Sequence, residues 1–515
     1  MPPKLAVGNQ LVYASVALPL FYERRSFLPA WVTDNGPKPA IRTLIGILSE
    51  ADKEGVRPSD YHLEKLQTLD RRLRSSAQDK RPMNRGELID IELLCTDAFL
   101  IFGSHMLSGR INPETVDAEW FANRKEGDLV AVLEAAIVNG SVDSTLKSLL
   151  PRQQEYRNLR AALVRYRSVV ANGGWAPVPE GPALKKGDTG NRIVALRRRL
   201  LLSRDIVAVP TDSEGVFDEE LQTAVVRYQS RNGLESDGVV GSATLAALNV
   251  TTQERVQQLV TNLERWRWLP QELEDKYVLV NIANFELVVM EYDSPLLSMR
   301  IVVGRSYRRT PVFSDRITYL VLNPYWHVPQ SLAAADILPA IKKDSTYLVD
   351  NDFEVFLGWG ADALSIDPRD VDWSEISGRN LQYRFRQRPG SKNALGRVKI
   401  MFPNQFNVYL HDTPAKGLFA KAKRDFSSGC IRIAKPLELT DYLLGHDSRW
   451  NRSRIETTLQ QSAEETVRIP ASIPIHILYW TAWVDEDGTV HFRQDIYDRD
   501  RPLWEALSEE PPEVE

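Results

Sequence analysis

The sequence predicts a multidomain α+β protein: a helical front part, a small three-helix domain, and a mostly β rear domain with an inserted subdomain. Three observations carry this. At 515 residues the chain exceeds what one hydrophobic core usually serves, so roughly two to four domains are expected. A cluster of chain breakers, Gly173-Gly174-Trp175-Ala176-Pro177-Val178-Pro179-Glu180-Gly181-Pro182, interrupts it. From Tyr277 onward the apolar pattern changes from a helical period to period two.

The elements follow in order. Residues 20–170 read as mostly helical, with Leu88, Ile91, Cys95, Ala98 and Phe102 recurring at steps of three and four to form one apolar stripe. Cys95 lies on that stripe and reads as a small buried core residue. Residues 171–182 are a linker, and 183–250 form a compact unit. Within it Ile193, Leu196 and Leu200 mark one helical face, while Leu221, Ala224, Val225 and Tyr228 mark a second. Asn232-Gly233 ends the second helix with a residue suited to positive φ, and Ser242 is placed to cap a third. The β-rich runs Tyr277–Ile282, Phe285–Met290, Met299–Val303, Ile317–Leu322, Val398–Phe402 and Val408–His411 lie within a domain assigned to 277–484. Its alternation lapses between Asn323 and Gly396, too long a stretch for a bare loop, so an inserted subdomain is expected at about 325–396. A hairpin about Asp485-Glu486-Asp487-Gly488 spans 485–507, and the acidic residues 508–515 read as a disordered tail.

Bulk composition excludes more than it selects. Net charge is −5 with both signs interspersed, which makes no case for a nucleic-acid partner. Only Cys95 and Cys430 occur, too few for a disulfide framework, although a single bridge between them is open by counting. No segment reaches the ~18 apolar residues of a membrane-spanning helix, and Met1-Pro2-Pro3-Lys4 does not begin a secretory pattern. No histidine shows a spacing with Cys, Asp or Glu that suggests a metal, so neither metal nor cofactor is expected.

Chemistry concentrates at Cys430. A thiol becomes a strong nucleophile as thiolate, which requires a base or cation to bring its pKa below about 8.5. Cys430 stands in Ser427-Ser428-Gly429-Cys430-Ile431-Arg432-Ile433, where Gly429 permits a tight turn and Arg432 adds a fixed charge. His411 ends the predicted strand Val408-Tyr409-Leu410-His411, where an imidazole is held rigidly.

These residues resemble the signature of the L,D-transpeptidase (YkuD-like) family, a His followed by a Ser/Thr-His-Gly-Cys-Ile/Val-Arg block. Ser427, Gly429, Cys430, Ile431 and Arg432 match; Ser428 replaces the usual His, and Asp412 replaces the Gly that often follows the first His. Ser-Ser-Gly-Cys is similar to the large periplasmic YcbB-like (LdtD-like) branch, as are Arg309-Thr310-Pro311-Val312-Phe313, Asn323-Pro324-Tyr325-Trp326-His327-Val328-Pro329 and Ile475–Trp483. The unit at 183–250 resembles the peptidoglycan-binding domain type 1 family through Gly187-Asp188-Thr189-Gly190, Gly215-Val216-Phe217-Asp218, Ala224–Gln229 and Gly233–Gly241. The front part is then a scaffold domain, and the inserted subdomain a cap on the catalytic domain.

The resemblance implies a transpeptidase that joins meso-diaminopimelate residues of two peptidoglycan stems in 3→3 cross-links, releasing D-alanine. Cys430 is then the nucleophile and His411 its base. Backbone N–H groups around Ser428, Gly429 and Cys430, with Ser427 and Tyr409 in support, serve the oxyanion. Arg432 either holds a substrate carboxylate or braces the Cys loop, and Trp326 is either a substrate-groove wall or a packed core aromatic. The implied partners are stem peptides and glycan strands, with carbapenems as inhibitors and other wall-synthesis proteins as unidentified associates. The alternatives are a thiol carboxypeptidase or endopeptidase of the wall, and a non-catalytic wall-binding scaffold. Because peptidoglycan lies outside the cytoplasmic membrane, a periplasmic location is expected, with the export signal or anchor absent from this sequence.

Overall fold

The computed structural model describes residues 5–79, 82–121, 125–208, 214–358, 360, 362–445 and 447–511. It divides into two units, Met1–Leu273 with Trp480–Glu515, and Glu274–Tyr479. Among the described residues no helix is long and apolar enough to cross a membrane.

The first unit opens with helices around the long segment Arg85–Ser108, which Asn84 caps by accepting from the Gly86 N–H at 2.9 Å. Ile91, Cys95, Ala98 and Phe102 of the anticipated stripe are buried in its core. Two buried carboxylates on this helix tie down the preceding chain. Asp97 accepts from the Ala14 N–H at 2.7 Å and bonds His62 Nε2 at 2.7 Å, while Glu92 accepts from the N–H groups of Trp31 and Val32. Cys95 and Cys430 are both free, so no bridge joins them.

The small domain packs helices Asn191–Leu202, Glu219–Arg231 and Ser242–Asn249 around Ile193, Leu196, Leu200, Phe217, Leu221 and Tyr228. Asp218 caps the second helix through the Leu221 N–H, and Gly233 follows it at φ 68°. Ser242 differs from expectation: it is the first helical residue, and the cap position falls to Gly241.

The C-terminal segment also differs from expectation. The chain leaves the second unit after Tyr479, so 480–484 do not belong with the β domain. Trp480 stacks on Trp266 at 4.4 Å between ring centroids, and the Thr481 N–H donates to Asn262 Oδ1 at 3.0 Å, which holds this segment to the helix Thr252–Arg267. The hairpin pairs Ala482–Val484 with Val490–Phe492, and a helix, Asp500–Ser508, follows within the span read as hairpin. The start of the expected disordered tail is fixed as well: Arg110 donates to the Leu507 carbonyl at 2.6 Å, and Arg57 and Arg110 both donate to that of Glu509. Residues 512–515 lie outside the described residues.

In the second unit eight strands form a closed ring. In chain order they are β1 (Lys276–Asn281), β2 (Glu286–Glu291), β3 (Ser294–Gly304), β4 (Val312–Leu322), β5 (Val398–Met401), β6 (Leu410–His411), β7 (Ile431–Ile433) and β8 (Glu465–Leu478). Their order around the ring is β5-β6-β7-β3-β2-β1-β8-β4, and β4 pairs β5 to close it. The β6–β7 and β1–β8 pairs are parallel and the other six antiparallel. Alternate residues Val278, Val280, Leu287, Val289, Ile301, Val303, Leu320, Leu322, Val398, Ile400, Leu410, Ile431 and Ile433 are fully buried, which is the period-two pattern made physical.

Between β4 and β5 lies the inserted subdomain. Its four-stranded sheet includes Phe353–Leu357 flanked by Leu364–Ile366 and Tyr383–Gln387, with Trp326–His327 pairing the far side of Tyr383–Gln387. Short helices from Gln330 to Lys343 cover it, and Ile337, Leu338, Ile341, Val355 and Phe385 make its own core.

One tight approach binds this fold to the site. At Gly304, which ends β3, a Cβ would overlap the Arg308 carbonyl oxygen and sit 2.9 Å from the Thr310 nitrogen, both backbone atoms. Gly304→Ala is therefore expected to lose about 3 kcal/mol of stability through forced backbone movement. Gly417→Ala, which meets nothing within 4 Å, should stay within about 1 kcal/mol of the parent. Urea unfolding of both variants checks this, and equal midpoints would contradict it.

Candidate functional site

The site grows from the parallel pairing of β6 with β7. Leu410 pairs with Ile431 and His411 with Arg432. Because side chains alternate along a strand, Leu410, Ile431 and Ile433 enter the core while His411 and Arg432 share the opposite face. Tyr409 and Cys430, each two positions back, join that face, and the Ile431 N–H donates to the Tyr409 carbonyl at 3.1 Å. On the other side of β6, β5 pairs Lys399 with His411, so a lysine completes the row. Its Nζ lies 4.1 Å from the Tyr409 ring centroid, and the Tyr409 and His411 rings meet edge-on at 5.7 Å.

His411 is 5% exposed. Its Nδ1 bonds the Asp412 carbonyl oxygen at 2.5 Å, so Nδ1 carries the proton and Nε2 is left as the basic nitrogen. Asp412 itself is anchored. Its N–H donates to the Val398 carbonyl, its carboxylate accepts from the Arg397 N–H at 2.9 Å, and Lys416 pairs with it. The residue that departs from the common Gly therefore holds the carbonyl that orients the imidazole.

The nucleophile loop is braced from within. Ser427 Oγ donates to the Cys430 carbonyl at 2.5 Å and accepts the Gly429 N–H at 3.2 Å. Gly429 takes φ 117°, a conformation that L side chains rarely adopt. Thr310 Oγ1 donates to the Gly429 carbonyl at 2.8 Å and accepts the Gly304 N–H at 3.0 Å. The Gly429 N–H is thus engaged by Ser427. Among the described residues, the N–H groups of Ser428 and Cys430 have no protein acceptor. The Cys430 thiol donates to the Asn407 carbonyl at 3.7 Å, and Tyr409 lies near enough to the sulfur to favour its thiolate.

Charge around the sulfur is one-sided. Among the described residues the buried Arg432 Nε has no hydrogen-bond partner, and Arg305 lies near enough to depress its pKa after burial has done so. Arg308 donates to Ser428 Oγ at 2.9 Å and pairs with Asp336 of the inserted subdomain at 2.6 Å, linking cap and loop. Burial, opposed by Tyr409, Lys399 and Arg432, leaves the Cys430 thiol above its ordinary pKa. Burial, then Arg432, brings His411 down to about 3 against the bond to Asp412. The thiol and the imidazole on this face therefore both rest neutral.

Trp326 is half-buried in the cap sheet opposite Gln387, with Phe353 at 6.1 Å, so it packs with the subdomain core. Arg424, from the basic run before the nucleophile, turns inward and donates to the carbonyls of Ile301 and Lys421. Sequence reasoning missed Lys399, Thr310 and Arg308. A signal existed for Lys399, the lone cation between the buried Val398 and Ile400 of a short strand. Thr310 stood in the motif Arg309–Phe313, but neither it nor Arg308 showed its role, since their partners arrive from 119 and 120 positions away. Among the described residues no cluster suited to a metal occurs.

Comparison with known proteins bears on each part. Residues 275–468 match the YkuD model, described as an L,D-transpeptidase catalytic domain; 189–248 match a "Putative peptidoglycan binding domain" and 16–163 a "Scaffold domain". A Haemophilus influenzae protein named "Putative L,D-transpeptidase" is 34% identical over 247 residues, 48% of this chain and 49% of that protein. The chain thus spans about half the length of this curated relative. Among solved structures, an L,D-transpeptidase of Xylanimonas cellulosilytica is similar at 16% identity, covering 58% of this chain and 99% of that one, with a TM-score of 0.18. Mycobacterium tuberculosis L,D-transpeptidase 3 with a faropenem-derived adduct is similar at 12% identity over 39% of this chain and 60% of that one, with a TM-score of 0.20. Scores this low carry no argument for the present chain.

Two measurements test the electrostatics. With His411 neutral down to about pH 3, the acid limb of kcat/KM should fall well below the ordinary histidine value of about 6.5; a limb at that value would contradict the burial effect. Lys399→Met removes a cation that favours the thiolate. The pH profile of Cys430 alkylation by iodoacetamide should therefore move to higher pH, and an unmoved profile would show that Lys399 does not act on the sulfur.

Proposed function

From a chain that carries a YkuD-family L,D-transpeptidase catalytic domain at 275–468, behind a scaffold domain and a peptidoglycan-binding domain, we propose an enzyme that forms 3→3 cross-links in peptidoglycan through a Cys430 thioester. The observation that supports it is the shared face of Lys399, Tyr409, His411, Cys430 and Arg432, set by strand register.

In this proposal Cys430 Sγ attacks the carbonyl between the L-centre of meso-diaminopimelate and the terminal D-alanine of a tetrapeptide stem. His411 Nε2 accepts the thiol proton as the carbon–sulfur bond forms. The oxyanion is held by the Cys430 and Ser428 N–H groups and the Tyr409 hydroxyl, each such donor contributing about 3 kcal/mol. Collapse breaks the carbon–nitrogen bond, and His411 returns the proton to the departing D-alanine amine. The side-chain amine of diaminopimelate on a second stem then attacks the thioester, giving the cross-link and regenerating the thiol. Water in place of the amine gives a tripeptide, a carboxypeptidase outcome. Arg432, with its unpartnered buried Nε, serves a substrate carboxylate. Trp326 is kept outside this machinery because it packs within the cap.

The Ser-Ser-Gly-Cys block and the inserted cap support placement in the YcbB-like branch. The substrate places the protein outside the cytoplasmic membrane, in the periplasm. Carbapenems are proposed inhibitors, since their strained carbonyl offers the thiol an acyl group that opens without a departing amine.

Incubation with disaccharide-tetrapeptide, followed by mass spectrometry, tests the reaction. The parent should yield cross-linked dimers and free D-alanine, Cys430→Ala none, and His411→Ala at least about 100-fold less. Tripeptide without dimers would favour hydrolysis, and dimers from Cys430→Ala would end the assignment. Intact mass after exposure to a carbapenem should show one adduct on the parent and none on Cys430→Ala.

A further inference from the structure

Far along the chain from the thiol, the first unit holds a second concentration of positive charge, unpaired among the described residues. Arg165, on helix Gln154–Ala171, and Arg204, in the turn after helix Asn191–Leu202, both line two adjoining cavities of about 340 and 270 Å³. Val164, Tyr166, Trp175 and Leu202 give the larger one apolar and aromatic walls, and no lining residue of either is acidic.

The contrast with neighbouring arginines is informative. Arg197 pairs with Asp218 at 2.6 Å, Arg198 with Glu214 at 3.0 Å, and Arg231 with Asp205 at 2.6 Å. Arg199 stacks on Trp175 at 3.7 Å and donates to the Leu248 carbonyl at 2.8 Å. Among the described residues, neither Arg165 nor Arg204 has a carboxylate within ion-pair reach, and Arg165 lies beside Tyr166 and close enough to Arg204 and Arg231 to feel their charge. Two guanidinium groups facing one partly desolvated cleft repel each other, and an anion between them removes that penalty. A carboxylate suits the purpose because its two oxygens match the planar donor fork of arginine. Leu202 and Arg204 belong to the segment matching the peptidoglycan-binding family.

We propose that this cleft is a second wall-binding site, one that takes a carboxylate-bearing stem peptide. Arg165 and Arg204 share a stem carboxylate, and the small apolar side chains of the stem lie against Val164, Leu202 and Trp175. The site ties a wall strand to the chain independently of the thiol, so the inference does not depend on the reaction proposed above.

The test uses the full chain carrying Cys430→Ala, which removes turnover, with the free tetrapeptide stem as probe and hydrogen–deuterium exchange as local readout. The stem should slow exchange in residues 164–175 and 202–206. Arg165→Ala and Arg204→Ala should each raise the concentration needed for that protection by about tenfold or more, with Arg165→Lys intermediate. A stem with its carboxylates amidated should protect neither segment on the unaltered arginines, a comparison that needs no substitution in the cleft. Absence of protection, unchanged protection in both alanine variants, or equal protection by the amidated stem would overturn the proposal. Dimer formation by the Cys430-containing chain is scored separately, so the two readings fail by different results.

Discussion

The constraint on which the catalytic unit depends is the parallel pairing of Leu410–His411 with Ile431–Ile433. Parallel neighbours need a crossover, and residues 412–430 supply it. Register does the rest. A slip of one residue would send His411 and Arg432 into the core and Leu410 and Ile431 out of it. The buried Val398, Ile400, Leu410, Ile431 and Ile433 oppose that slip, since exposing each would forfeit about 1.5–3 kcal/mol. The ring adds a second restraint, because β6 is held by β5 on its other edge and β7 by β3. Hydrophobic burial on one face thereby fixes the chemistry on the other.

The same burial that sets geometry also sets protonation. Enclosing the thiol and the imidazole disfavours charge on either, so both rest neutral beside two cations, Lys399 and Arg432. Lys399 and Arg432 leave the thiol less raised than burial alone would, and both oppose a charged imidazole. Such an arrangement favours a proton that travels with the bond change over a standing ion pair. Asp412 contributes without facing the sulfur: its carboxylate is bound by Arg397 and Lys416, and the carbonyl this steadies selects the imidazole tautomer.

Loop and cap are joined by polar contacts. Thr310 and Ser427 hold the backbone around Gly429, while the backbone of 308–310 turns close against Gly304 and leaves no room there for a side chain. Arg308 reaches from that same stretch to Ser428 and to Asp336, so the inserted subdomain, with its own apolar core, is coupled to the nucleophile loop through one guanidinium. Specific hydrogen bonds give this junction direction, which dispersion contacts alone do not.

Much was legible in the residues themselves. Helical stripes, the linker, the shift to period two and the Ser-Ser-Gly-Cys block are local patterns, each decided by neighbours within a few positions, and they determined the fold class and pointed to Cys430 and His411. Tertiary structure decided what depends on partners distant in the chain. Lys399 entered the row through a cross-strand pair, Thr310 claimed the Gly429 carbonyl, and Trp480 bound to Trp266 in place of the β domain. Ser427 took up the Gly429 N–H, because the loop closes on itself only once folded. Periodicity and motif are short-range properties of a chain, whereas hydrogen-bond partners and register are settled when separate strands meet.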